Sequence, residues 1–342
     1  MHTAFNASLL KLERERRGWS QTFLAERLAV KQAALSKYER GAVEPPAPMQ
    51  ERIAETFDLP IEFFRQETAE IPTGLIFHRK RAAAPARVRS MIEADARLRL
   101  LDVLRLAAET GLRSRLIERQ KTPEETAVAL RRFWNVPKGP IDNFIDLLEQ
   151  NGVVVLEFDF GTDLLDAFFV RLDVETDLVC IVLNSNEAFS PDRIRFTLAH
   201  ELGHALLHRD AFPDKKAENE ANNFAAELLA PAKDVAPDLT RRLDFERLKA
   251  LKAKWKMSTS ALIYRAKDVG ILPESAARRY WMYLSQMQMR KNEPLCGLVR
   301  ETPSKLEQML KTQSEQTPNM PEWLRISDAE FERRYPRFNA LK

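Results

Sequence analysis

Apolar residues in the first seventy positions recur at helical spacing in short bursts. Leu9 to Arg17 predicts one helix, and Ser20 to Leu28 a second with serine as its cap. After a break at Ala29-Val30, Lys31 to Tyr38 predicts a third that ends at Arg40-Gly41. Ala25, Leu28, Val30 and Leu35 supply its small inward face. An Ala/Pro-rich stretch then leads into a long helix with Leu98, Leu101, Leu104 and Ala108 on one side. Thr122-Pro123-Glu124-Glu125 is a capping box with proline at the first helical position, and two helices follow, to about Trp134 and from Ile141 to Glu149. Asn151-Gly152 turns the chain into three strand patterns, Val153 to Phe158, Ala167 to Leu172 and Leu178 to Leu183, which predict a small sheet. Phe196, Ala199, Leu202-Gly203 and Leu206 return to helical spacing after Ser190-Pro191. Ala221, Phe224, Ala225 and Leu228 repeat it until Pro231. Phe245, Leu248 and Leu251, then Ala261, Leu262, Ile263 and Ala266, read as helix, turn, helix. The order of elements predicts a multidomain α+β chain: an all-α domain, a core with a small β-sheet, and a helical C-terminal region.

Composition narrows the class. A hydrophobic fraction of 44% over 342 residues is enough for proper cores, and no apolar run approaches a membrane span. No charged-then-apolar leader opens the chain, so a cytoplasmic location is expected. Cys180 and Cys296 are too few and too far apart for a disulfide framework, and two reduced thiols are expected. The net charge of +3 is uneven: from Arg79 to Arg119 Lys and Arg exceed Asp and Glu by six. Three readings of this basic stretch stay open. It follows phosphates, it is a solvated face, or it packs on an acidic part of the chain.

The third N-terminal helix leaves Lys31, Gln32, Ala33, Ser36 and Lys37 on its exposed start and face, suited to base edges and phosphates. Gln21, at the start of the second helix, adds a backbone phosphate contact. The alternative is a small helical bundle used for protein contact. Ser36-Lys37-Tyr38-Glu39-Arg40-Gly41, Asp58-Leu59-Pro60 and Phe63-Phe64 make this segment similar to the Cro/repressor-type (Xre) helix-turn-helix family. That resemblance implies a double-stranded DNA operator as partner, and a homodimer where the operator has two half-sites.

The densest chemistry lies in Thr197-Leu198-Ala199-His200-Glu201-Leu202-Gly203-His204. On a helix, His200 and His204 fall one turn apart on one face and can share a metal ion, with Glu201 beside it to take a proton from water. A small residue at Gly203 lets another backbone pass close by. A catalytic metal needs a third protein ligand. Glu218, at the inner edge of the next helix, is the first choice, Glu220 the second. His208 lies one more turn along α-helical spacing, where a straight helix does not easily aim at the same ion, and serves better as a partner to a ligand. Either carboxylate also fits as a solvated residue at a helix start.

From Asn184 to Pro231 the chain resembles the ImmA/IrrE metallopeptidases, whose pattern is R-x-R-F-T-x-A-H-E-x-G-H followed by E-x-x-A-N-x-F-A-x-x-L-L-x-P. Here it reads Arg193, Arg195-Phe196-Thr197, Ala199-His200-Glu201, Gly203-His204, Glu218, Ala221-Asn222, Phe224-Ala225, Leu228-Leu229 and Pro231. Ala230 stands where the family usually has methionine. The resemblance implies a zincin-like fold, zinc on His200, His204 and Glu218, and Glu201 as general base. It also implies an endopeptidase directed at a repressor or partner protein in a stress or mobile-element response. Arg195, His208 and Tyr264 are candidates for stabilising the oxyanion. A non-proteolytic repressor or antitoxin is the alternative, with the metal domain a sensor or structural module and a toxin as the bound partner.

The expected domains are 1–70 for DNA binding, 71–121 a basic linker and helix, and 122–235 the peptidase core. A helix-turn-helix-like support over 236–273 and a helical region with a disordered tail over 274–342 complete the chain. In the support element Lys249, Lys252, Lys254 and Lys256 allow DNA contact, though the apolar positions around the turn favour a structural role.

Overall fold

The computed structural model describes residues 4–67, 85–173, 176–208, 214–239, 243–286, 293–294 and 296–338. The basic run Arg79-Lys80-Arg81, His2 and His78 lie outside them. The chain divides into two units, one of residues 1–113 with 304–342, the other of 114–303.

The first unit opens with α1 (Ala7–Arg16), capped by the Asn6 side chain, which accepts from the Ser8 and Leu9 amides. In α2 (Gln21–Arg27) Ser20 does the same for Phe23, as its sequence position predicts. Ala29 takes a positive φ between α2 and α3 (Gln32–Glu39), which turns the chain sharply. Leu9, Leu10, Leu24, Ala25, Leu28 and Leu35 are buried together with Ile53 and Phe57 of α4 (Ala47–Phe57). Val30, expected inside, is only half-buried. A 3-10 turn at Ile61–Arg65 closes this part and buries Phe63 and Phe64.

The long helix α5 (Ala86–Thr110) ends at Gly111, whose positive φ favours glycine. Its inward face differs from the expected one. Leu98 is buried, but Leu101 and Leu104 are half-buried and Ala108 is exposed. Arg99, Asp102, Val103 and Leu106 face inward instead. Two of those positions are charged, so periodicity of apolar residues alone assigns them to solvent.

In the second unit α6 (Pro123–Phe133) starts at the Thr122 cap and α7 (Phe144–Gln150) at the Asn143 cap. They precede β1 (Val154–Phe158), β2 (Ala167–Asp173) and β3 (Leu178–Asn184). The sheet order is β1-β3-β2, so the unbroken apolar run Leu178-Val179-Cys180-Ile181-Val182-Leu183 occupies the centre and is buried throughout. β1 pairs with β3 in parallel, Val155 opposite Ile181, and β2 pairs with it antiparallel, Phe169 also opposite Ile181. That arrangement leaves β2 on an edge. Burial pushes the Cys180 thiol well above its ordinary range.

One helix packs against this sheet, α8 (Pro191–Leu207), entered through Ser190 with Pro191 at its first position, and α9 (Lys215–Leu229), capped by Asp214, packs on α8 and α6. After the short α10 (Ala232–Val235) come α11 (Phe245–Trp255) and α12 (Thr259–Asp268), capped by Asp244 and Ser258, and then α13 (Glu274–Gln286). Leu248, Leu251, Trp255, Leu262 and Ile263 join one hydrophobic core with Ile181, Leu198 and Leu228. The expected support element is therefore continuous with the core it follows.

The chain then returns to the first unit as α14 (Lys305–Gln316), α15 (Met320–Leu324) and α16 (Asp328–Arg334). The region expected as one piece over 274–342 is thus split between the units, and its last described part, 304–338, is helical rather than a disordered tail. The physical reason is a buried ion network. Arg334 contacts Asp102 at 2.8 Å and Glu13 at 3.5 Å, and Arg16 reaches Glu330 at 2.9 Å. Among the described residues no helix is long and apolar enough to cross a membrane.

Candidate functional site

His200, Glu201 and His204 all project from one turn of α8. Gly203 makes room for the neighbouring helix: its missing side chain is where Phe224 and the backbone of Ala221 approach. This close crossing carries Glu218, in the first turn of α9, to the two imidazoles. Nε2 of His200 and Nε2 of His204 are 3.0 Å apart, and each lies 3.6 Å from a Glu218 oxygen. These three residues form the group among the described residues able to hold a metal ion.

The donor set fits a small divalent cation. Four bonds of 2.0–2.1 Å directed to the corners of a tetrahedron separate the ligand atoms by about 3.3 Å. The observed separations of 3.0 and 3.6 Å straddle that value. Nδ1 of His200 lies 2.9 Å from the side-chain oxygen of Asn222, which can only accept, so Nδ1 carries a proton and Nε2 is the atom left to meet an ion. Burial pushes His204 below the ordinary imidazole range and so keeps it neutral. Contact with His200 and then His204 holds the Glu218 carboxyl well below the usual carboxylate range. Two imidazoles and one carboxylate converge, with His200 and Glu218 partly open to solvent.

Glu201 points to the sheet. Its Oε2 accepts a hydrogen bond of 3.2 Å from the backbone N–H of Phe169 on β2, and the Phe169 ring lies parallel to that of His204. Arg171 of the same strand donates to the carbonyl of Ala205 and ties β2 to α8. Phe169 is absent from the residues that sequence reasoning picks out. Its contribution is a backbone donor brought in by strand pairing, which no residue type signals.

Other expected participants lie elsewhere. Arg195 is buried against Glu301 and donates to the carbonyl of Ile141 at 2.7 Å. Tyr264 packs against Trp281, the rings tilted and their centroids 4.2 Å apart. His208 and Glu220, weighed above as ligands, contact each other at 3.1 Å. Burial lowers His208 too. The lysines of the support element are also engaged: Lys252 with Asp192 and Glu293, Lys254 with Asp238, Lys249 with Glu246, and Lys256 with the carbonyl of Asp142.

In the first unit Lys31, Gln32, Ala33 and Lys37 are exposed along the start and outer face of α3, and Ser36 is half-buried. Gln21 donates to Glu39 at 2.8 Å and accepts from Gln32 at 2.6 Å, so the starts of α2 and α3 are joined side chain to side chain. Glu39 is itself paired with the buried Arg14.

Residues 10–64 match the family profile described as helix-turn-helix, and residues 148–267 match the IrrE N-terminal-like domain of the M78 peptidase family. A search of curated proteins finds no match. The second match spans the sheet, α8, α9 and the support element, and so includes the whole ligand group. The chain therefore joins a helix-turn-helix domain, of the kind found in DNA-binding transcription regulators, to an IrrE-type metallopeptidase domain.

Proposed function

We propose that this chain is a DNA-binding transcription regulator whose second unit is a zinc-dependent endopeptidase acting on a specific protein, a repressor or a partner, during a stress or mobile-element response. The observation that carries the proposal is the convergence of His200, His204 and Glu218 beside Glu201, which is anchored on an edge strand. These three residues would hold the ion. When bound, zinc supplies Lewis-acid polarisation of the scissile carbonyl and of the attacking water.

Glu201 takes the proton of that water and returns it to the leaving amine. Its hydrogen bond to Phe169 fixes the carboxylate against β2, so the base and the strand edge keep one geometry. β2 is the edge that a substrate backbone would join as an added strand, with the scissile bond passing Glu201. In the first unit Gln21, Lys31, Gln32, Ala33, Ser36 and Lys37 contact the operator, to which the chain binds as a homodimer. Attachment to DNA raises the effective concentration of the peptidase near targets at the same locus.

The test is metal analysis of wild type, His204→Ala and Glu218→Ala, together with cleavage of the proteins encoded beside this one by wild type and Glu201→Gln. The expected result is about one zinc per chain, as a single closed ligand set requires, lost in both ligand variants, with cleavage abolished in Glu201→Gln while zinc stays bound. Wild type without zinc overturns the enzyme reading. Zinc retained without cleavage moves the domain to the sensor role.

A further inference from the structure

His208 closes α8 and lies outside the ligand group, yet both of its ring nitrogens are engaged. Nδ1 is 3.0 Å from Nδ1 of His204, and Nε2 is 3.1 Å from Oε2 of Glu220. Glu220 is held in turn by Arg119 at 3.1 Å and Lys216 at 3.8 Å. Arg119 also donates to the carbonyl of Leu207, so the far end of this row is tied to the helix that bears the histidines.

The chemistry of these groups dictates where the protons sit. A carboxylate between two cations offers only lone pairs, so the proton in its contact with His208 belongs to Nε2 of His208. A neutral imidazole carries one N–H, which leaves Nδ1 of His208 bare. Two bare nitrogens at 3.0 Å repel, so the proton between the rings is on Nδ1 of His204. Nε2 of His204 is then a lone pair, and it faces Nε2 of His200 and the Glu218 carboxylate. The other tautomer of His204 would put a proton where the metal bond has to form.

We propose that Glu220 and His208 are positioning residues that set the tautomer of His204, a relay anchored on Arg119 that keeps Nε2 bare and aimed at the ion. The proposal rests on the metal-site reading of His200, His204 and Glu218. Its direction is one-way: each group accepts from the next one inward, and the last lone pair is the ligand. Glu220 and His208, both weighed as third ligands on their residue types, thus act behind the ligand group rather than in it.

Two-bond 1H–15N correlations of the full, metal-free chain labelled at histidine report which nitrogen of His204 carries the proton. The wild type is expected to show Nδ1–H. Glu220→Leu removes the acceptor at the end of the row while leaving the apolar contacts of α8 and α9 in place. It should convert His204 to a tautomer mixture and weaken Zn2+ binding, read by chelator competition, by about 10–100-fold, the usual effect of losing a partner behind a ligand. Glu220→Gln keeps a carbonyl acceptor for Nε2 of His208 and should restore both readouts, which a merely structural role would not predict. Matching thermal unfolding of the variants separates loss of the relay from loss of the fold. His204 protonated on Nε2 in wild type overturns the relay, as does unchanged zinc affinity in Glu220→Leu. A wild type that takes up no zinc but loses its Nδ1–H tautomer in Glu220→Leu upholds the relay and removes the zinc reading instead.

Discussion

Gly203 stands between the two histidines at a point where helix propensity and packing pull in opposite directions. Alanine there would gain about 1 kcal/mol of intrinsic helix stability. Its Cβ, however, would meet Cδ1 of Phe224 at 2.9 Å and the Cα and carbonyl oxygen of Ala221 at 3.3 Å. Phe224 is fully buried and Ala221 offers backbone, so α9 must shift. Overpacking of this kind costs about 1–3 kcal/mol, which outweighs or at least cancels the propensity gain. Because Glu218 lies one turn before Ala221, the same shift draws a ligand away. Gly203→Ala is expected to bind zinc more weakly and to unfold earlier in denaturant, and a variant more stable than wild type would show that α9 does not seat there. Much of this site is legible in the sequence because His200, Glu201 and His204 share one helical turn and their spacing alone defines a face. The Phe169 amide and the link from His208 to Glu220 are not legible. The first is a backbone group 32 positions from Glu201, and the second depends on how two helices cross.

Charged residues mislead sequence reading most at the level of elements. Four lysines on and after α11 suggest a basic face, yet Lys252 is fully buried, 3.2 Å from Asp192 in the first turn of α8 and 2.6 Å from Glu293. Lys252 is thus a pin between the support element and the helix that carries the histidines. Removing one partner of a buried ion group leaves the others without compensation, at a cost of about 3–5 kcal/mol. Lys252→Met, which keeps the stem and deletes the charge, should destabilise the second unit by that order in urea. Adding Asp192→Asn should recover part of the loss, because one stranded carboxylate is then gone. Additive losses in the double variant would show that the two side chains do not interact. The same lesson explains α5. Its apolar period points to Leu101, Leu104 and Ala108, but Asp102 is paired with Arg334 and Arg99 donates to the Arg334 carbonyl, which draws charged positions inward. The sheet follows its sequence pattern, since β3 is one unbroken apolar run and needs no ion pair to explain its burial.

Across the whole chain, the first unit is completed only after the second has been made. Arg334 is buried, and its contacts with Glu13 and Asp102 span 321 and 232 positions. Its carboxylate neighbours keep the guanidinium charged despite burial, and the Tyr335 hydroxyl, raised by burial, donates to Asp102 at 2.6 Å. No local pattern announces such partners, so a polar C-terminal stretch looks dispensable when read by itself. It is the reverse. A chain ended at Pro303 leaves Glu13 and Asp102 as buried carboxylates without Arg334, a loss of about 3–5 kcal/mol from that group alone. Set against the 5–15 kcal/mol that stabilises a typical domain, this is enough to unfold a marginal one. The truncated chain should therefore lose the thermal transition of the helix-turn-helix unit and its affinity for duplex DNA. It should keep the transition of residues 114–303 and full zinc uptake, because every ligand and every relay residue lies within that span. Adding residues 304–342 as a separate peptide should return the first transition, and its return with Arg334→Ala in the peptide would show that the ion network is not what holds the unit together.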